Sequence, residues 1–182
     1  MTESASHTTP FKSVVFADGD YVGLFRRFVI ILVDGALVWF ALIPLTWLWY
    51  DVIDRVGDPY DQLLWSWIGF CYVYLAILTP SRIRSVGLWV TGARIVDHKG
   101  HPSSVIRMTF RSFLWLLGGP FNPVIDLLWL GSDQHRQTLR DKCAGTYVVN
   151  RRAAPVGHGK RTSAYYNFMG VLLIFWEVRS AE

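Results

Sequence analysis

The chain has 182 residues, short enough for one domain, and is 52% hydrophobic, 15% aromatic and only 18% charged, with nine Trp. Soluble domains average about a quarter charged residues, so this balance points to lipid as the main solvent, with aromatic rings gathered at the headgroup level. A net charge of +4 in a soluble chain would suggest nucleic acid, but here the basic residues flank apolar runs, which points instead to an anionic leaflet.

Met1 to Gly23 is polar and lacks the apolar core of a cleaved signal. The first long apolar run, Phe28 to Tyr50, is interrupted only by Asp34 and Pro44. At 1.5 Å per residue it reaches roughly 34 Å, enough to cross a hydrocarbon core of about 30 Å with some tilt. Pro44 removes a helical hydrogen bond, so a kink is expected in the outer half. The second run, Leu63 to Leu78, is closed by Thr79 and Pro80. It reaches roughly 24 Å, so its flanks or local thinning of the bilayer must make up the difference. Trp47, Trp49 and Tyr50 end the first helix and Trp65 and Trp67 begin the second, as one aromatic belt on one side of the membrane would require.

Lys and Arg in the short loops set the orientation. The loop from Asp51 to Gln62 holds Arg55 alone beside Asp51, Asp54, Asp58 and Asp61. The other side collects Arg26 and Arg27, then Arg82, Arg84, Arg94, Lys99, Arg107 and Arg111. Both the N-terminus and the segment after Pro80 are therefore expected in the cytoplasm. Val90 to Val96 is rich in β-branched residues and DHKGHP (Asp97 to Pro102) has the Gly and Pro of a turn, which predicts a short cytoplasmic strand. Ser103 or Ser104 is placed to cap a helix beginning near Val105.

The third apolar run, Phe113 to Gly131, has spanning length but carries Gly118, Gly119, Pro120, Asn122 and Pro123 at its centre. A single span would put the basic tail, including Arg136, Arg140, Lys142 and Arg151, outside. A helix–break–helix that re-enters keeps it inside, and the expectation favours that over a third span. GTYVVN (Gly145 to Asn150) is placed to pair with the strand around Arg94 to Val96. Arg151 to Lys160 reads as mobile, and Tyr165 to Trp176, too short to span, as an interfacial or packed helix. The expected architecture is thus a mainly α membrane protein. It comprises two transmembrane helices, a re-entrant or third membrane helix hairpin and a small cytoplasmic β element. Its divisions fall at 1–22, 23–150 and 151–182.

Asp34 follows Arg27 by seven residues, so both lie on nearly one helical face. It sits roughly 10 Å deeper, where a charge costs at least about 2.5 kcal/mol unless paired, hydrated or protonated. At that separation Arg27 contacts it poorly. A partner is required from Arg111, from backbone amides of the broken helix or from a bound cation. Asp34 is thus either a cation- or proton-binding carboxylate or a structural anchor. Asp126, in the apolar limb VIDLLWL, is equally awkward in lipid and could join Asp34 if the segment re-enters. Asp141 stands in a polar stretch between Arg140 and Lys142, where a charge costs little; it is either structural, accepting from backbone amides or pairing with Arg111, or in direct contact with a ligand. His98 and His101 bracket a turn without metal-site spacing, Cys71 and Cys143 form no CxxC pair, and no nucleophile–base pair is visible. No metal, cofactor or enzymatic activity is expected.

Four segments occur in a telling order: RFVIILVD (Arg27 to Asp34), SVGLWVTGARIVD (Ser85 to Asp97), RSFLW (from Arg111) and QTLRDKCAGTYVV (Gln137 to Val149). From about Val22 to Asn150 the chain resembles the RDD family of bacterial and archaeal membrane proteins, named for one arginine and two aspartates. The resemblance assigns these to Arg27, Asp34 and Asp141. It departs in two places: Arg140 stands where a His often precedes the second aspartate, and Ser85 to Gly92 lacks the usual Lys-rich approach to its glycine. What the resemblance implies is an inner-membrane protein, for which transport of ions or small ligands is usually proposed. Cation–proton exchange would use Asp34 with Asp126 or Asp141 assisting and Arg27 tuning the field. Arg111 is a candidate partner. Such a small protein would need a homo-oligomer or partner subunit to enclose a pathway. The alternative is a non-transporting anchor or assembly factor whose basic cytoplasmic face docks a partner or anionic lipid.

Overall fold

The computed structural model describes residues 12–56, 59–117, 124–126, 129–130, 133, 135–168 and 171–180. Strand β1 (Lys12–Val15) and a 3-10 turn (Asp18–Asp20) precede a long apolar rod, formed by α1 (Leu24–Phe40) and α2 (Leu42–Val56). The rod breaks at Ala41, as Pro44 leads one to expect. Pro44 has no N–H for the Phe40 carbonyl, and the next amide, of Leu45, reaches Ala41 O only at 3.4 Å. Helix α3 (Pro59–Tyr72) opens with a proline, tolerated where the N–H has no helical partner. It runs into a π-helical turn (Val73–Leu78) that ends before Pro80.

Two segments, Leu24–Tyr50 with 27 residues and Asp61–Leu78 with 18, are long and apolar enough to cross a bilayer. Their exposure is inverted relative to a soluble helix. The buried residues of α1 are Arg27 and Asp34, while Trp39, Phe40, Trp47 and Leu48 face outward. Water would penalise that arrangement and lipid favours it. The two rods are pinned near the aromatic end. Trp67 Nε1 donates to Val38 O at 3.2 Å and Trp49 Nε1 to Ser66 Oγ at 3.0 Å.

After α4 (Val86–Val90) comes strand β2 (Ala93–Asp97), followed by a turn with Gly100 at φ +82° and helix α5 (Val105–Leu117). Ser104 Oγ accepts from Arg107 N at 3.4 Å, so Ser104 supplies the cap. Helix α6 (Leu139–Ala144) leads into β3 (Thr146–Asn150), which pairs antiparallel with β2, from Ala93 opposite Asn150 to Asp97 opposite Thr146. That ribbon divides two apolar cores. Val96, Tyr147 and Val149 join Phe16, Tyr21 and Val178 on one side. Ala93, Ile95 and Val148 join Val22, Leu88, Ala76 and Met108 on the other. Alternating strand residues serve opposite faces, so one short ribbon couples the helices to the remaining β structure.

The reading of the C-terminal part is overturned. Residues 165–168 and 171–176 belong to strands β4 (Gly157–Phe168) and β5 (Val171–Ser180), which pair antiparallel, with β1 beside β4 in a three-stranded sheet. A dozen apolar residues are too few for a span, but length does not separate a helix from a strand, and the Tyr, Phe, Ile and Val content favours pairing. Nor is the preceding segment loose. Ala153 is buried, its carbonyl accepts from Arg94 Nη2 at 2.7 Å, and Val156 N donates to Val15 O at 2.8 Å. The break at Gly118 to Pro123, and with it the choice between re-entry and a third span, lies outside the described residues.

Phe16 is fully buried between the ribbon and the three-stranded sheet. Phe16→Ala is expected to cost about 3–5 kcal/mol, read as a lowered melting temperature of the purified protein.

Candidate functional site

Helix α6 is short and would be marginal alone, but its ends are fixed locally. Thr138 and Asp141 form a reciprocal capping box, at 3.2 Å and 3.3 Å, and Gly145 closes the helix at φ +63°. Its three consecutive charges then point to three partners. Arg140 pairs with Asp126, Asp141 with Arg27, and Lys142 Nζ with Asp133 at 2.6 Å.

Asp141 is the centre. Fully buried, it accepts from Arg27 Nη1, lies 3.0 Å from Arg111 Nε and takes the Thr146 hydroxyl at 3.3 Å. Arg27 is itself 4% exposed and donates onward to Arg136 O at 2.8 Å and Val22 O at 3.4 Å. The first turn of α1, the middle of α5 and the start of α6 are thereby fastened at one point. Burial alone would raise the Asp141 pKa, but the charges of Arg111 and Arg27 outweigh it and hold the carboxyl well below the usual range.

Asp34 forms a second, separate arrangement. Tyr74 Oη donates to Oδ1 at 2.7 Å, Gly87 N to Oδ1 at 2.7 Å and Ser85 Oγ to Oδ2 at 2.8 Å. The Tyr74 hydroxyl accepts in turn from Val86 N at 2.9 Å. Ser85 is also the N-cap of α4. Gly87 is required by proximity: a Cβ there would stand 2.7 Å from Ile30 O and 2.9 Å from Asp34 Cγ. All three partners donate, which matches the acceptor-only carboxylate, and all three are neutral.

The five predicted residues therefore fall into two groups. Arg27, Arg111 and Asp141 come together, with the Asp126–Arg140 pair beside them. Asp34 stands apart. The expectation that Arg111 or the broken helix satisfies Asp34 is corrected: α4 and the π-helical turn do so, and Arg111 serves Asp141. Asp126 does not join Asp34, because Arg140 holds it, leaving Asp126 Oδ1 buried without a hydrogen-bond partner. Nor is Asp141 cheaply solvated; it is completely enclosed. Sequence reasoning missed Tyr74, Ser85, Gly87 and the Arg140–Asp126 pair. The Thr138-x-x-Asp141 spacing was a legible capping signal, whereas nothing local marks Tyr74 among its apolar neighbours.

Two outward-facing apolar rods, the first with its charges turned inward, define a membrane protein. The model of the RDD family matches residues 21–145, more than half of the chain, and the protein belongs to that family. No curated protein and no solved structure matches it.

Asp141→Asn is expected to leave the buried Arg27 and the partly buried Arg111 guanidiniums uncompensated and to cost about 3–5 kcal/mol in thermal or denaturant unfolding. Because the folded pKa is depressed, this contribution is complete above the unfolded value of about 3.9 and is lost as pH falls below it toward the folded value. Wild-type stability should therefore fall more steeply on acidification than that of Asp141→Asn. Gly87→Ala meets backbone and should lower stability by about 1–3 kcal/mol, measured the same way.

Proposed function

We propose that the protein is a non-enzymatic transport component of the bacterial inner membrane, exchanging a monovalent cation for a proton at Asp34. Both termini lie in the cytoplasm in this reading, as the loop charges require. The observation that carries it is the contrast among the three buried aspartates. Asp126 and Asp141 each have arginine partners, whereas the hydrogen bonds to Asp34 come from two hydroxyls and an amide. A carboxylate in a candidate span, supplied with dipoles but no opposite charge among the described residues, leaves its compensation to a proton or a small cation. Proton and cation then compete for one group. The Asp34 carboxylate with the Tyr74 and Ser85 hydroxyls is an all-oxygen set, the kind hard cations take. Arg27, Arg111, Asp126 and Asp141 hold the helices rather than the ligand. Two spans enclose little of a pathway, so the working unit is a homo-oligomer or a complex with a partner subunit.

One observation favours a second reading, a non-transporting anchor or assembly factor that docks a partner or anionic lipid through its basic face. The three donors to Asp34 tie α1 to α4 and to the π-helical turn, as a purely structural carboxylate would.

Lumenal pH recorded in proteoliposomes under imposed sodium, potassium or lithium gradients separates the two. Exchange in wild type, abolished in folded Asp34→Asn and with apparent cation affinity about tenfold weaker in Ser85→Ala, is the expected result. No exchange in wild type with any of the three ions would overturn the transport reading and leave the anchor.

A further inference from the structure

Helix α4 descends along α1. Gly87 N is bonded to Asp34, and Thr91 O, at the far end of α4, accepts from Arg26 Nη2. Arg26 Nη1 also donates to Asn150 Oδ1, at the end of β3. The junction where α4 meets β2 and β3 ends is therefore level with the first turn of α1, where that helix enters the bilayer. The C-terminal end of α4 is apolar and uncovered, with Trp89 66% and Val90 56% exposed, and Ile83, before the helix, is 73% exposed.

Three arginines meet at this junction. Arg84 Nη1 donates to Ala93 O at 3.4 Å and Arg94 Nη2 to Ala153 O at 2.7 Å, while the main-chain amide of Arg151, whose side chain is exposed, bonds Gly92 O at 2.8 Å. No ion pair to any of the three is present among the described residues, and Arg94 Nε is buried without a hydrogen-bond partner. Arg84 holds a left-handed backbone, φ +62°, which a non-glycine residue keeps only where its surroundings enforce it. Burial, then the charges of Arg151 and Arg94, lowers the proton affinity of its guanidinium. Like charges gathered level with the first turn of α1, beside an exposed Trp, attract an anionic headgroup.

We propose that Arg84, Arg94 and Arg151, together with Ile83 and the Trp89–Val90 end of α4, bind an anionic phospholipid, its phosphate among the guanidiniums and its chains against the exposed apolar side chains. The arrangement suits a lipid rather than a free anion, because exposed apolar side chains adjoin the arginines along the chain, Ile83 beside Arg84 and Trp89 and Val90 just before Gly92 and Arg94. This rests on the reading of Leu24–Tyr50 and Asp61–Leu78 as spans.

The test is native mass spectrometry of the full chain in mild detergent with equal phosphatidylglycerol and phosphatidylcholine. Wild type should retain phosphatidylglycerol preferentially. Arg151→Gln, at an exposed position, should lower that retention about fivefold and Arg84→Gln/Arg151→Gln roughly thirtyfold, while Lys99→Gln, exposed at the other end of the ribbon, leaves it unchanged. Equal retention of both lipids, an equal loss in Lys99→Gln, or displacement of the lipid by inorganic phosphate would each overturn the proposal. Alkaline carbonate extraction of membranes separates the two ideas: release of the protein removes the spans themselves, whereas retention without lipid preference removes the lipid site alone.

Discussion

A charge beside hydrocarbon has to be answered by something other than water, and in this protein that requirement organises the helices. Arg27 and Asp141 lie more than a hundred positions apart, yet each is buried and each is the other's partner. Once α1 carries Arg27 inward, α6 must stand where Asp141 can meet it, and α5 must bring Arg111 to the same carboxylate. A pair of this kind adds little net stability over an apolar equivalent, but breaking it is costly, so it specifies an arrangement more than it strengthens one. The surrounding pairs, Arg140 with Asp126 and Lys142 with Asp133, extend the same logic along one short helix.

Asp34 obeys the requirement differently. Its environment supplies hydroxyl and amide dipoles, from the π-helical turn and from α4. The π-helical turn carries Tyr74 in a segment otherwise made of apolar residues, and such turns recur where a helix must re-aim a side chain. Gly87 completes the fit, since its hydrogen alone leaves room for Ile30 O. Fixed charges therefore hold the scaffold while a carboxylate with neutral partners remains separate from it.

The β structure links these elements to the rest of the chain. Because β2 and β3 alternate, one face closes on the helices and the other on the three-stranded sheet. Tyr21 and Val22 take up opposite sides of the same division, so the segment entering α1 is fixed before the helix begins. Arg26 then ties that entry to α4 and β3.

Periodicity, length and composition were enough for the local elements. Apolar length gave both candidate spans, Pro44 the break, and β-branched runs the pairing of the strand around Arg94 to Val96 with Gly145 to Asn150, of which Thr146–Asn150 forms the strand. Four ordered motifs gave the family. These succeed because hydrophobic length and turn chemistry act within a few residues of one another. The partner of each charge was decided only by the tertiary structure. Asp141 reads as sitting in a polar stretch with Arg111 as one possible partner, and only the fold encloses it fully and adds Arg27. Asp34 reads as needing Arg111, backbone amides or a cation, and only the fold brings it Tyr74, Ser85 and Gly87 instead of an arginine. Residues 165–168 and 171–174 pair with each other, and Phe175 meets the Trp129 ring edge-on at 5.9 Å, so an apolar run of that length takes its form from what it packs against.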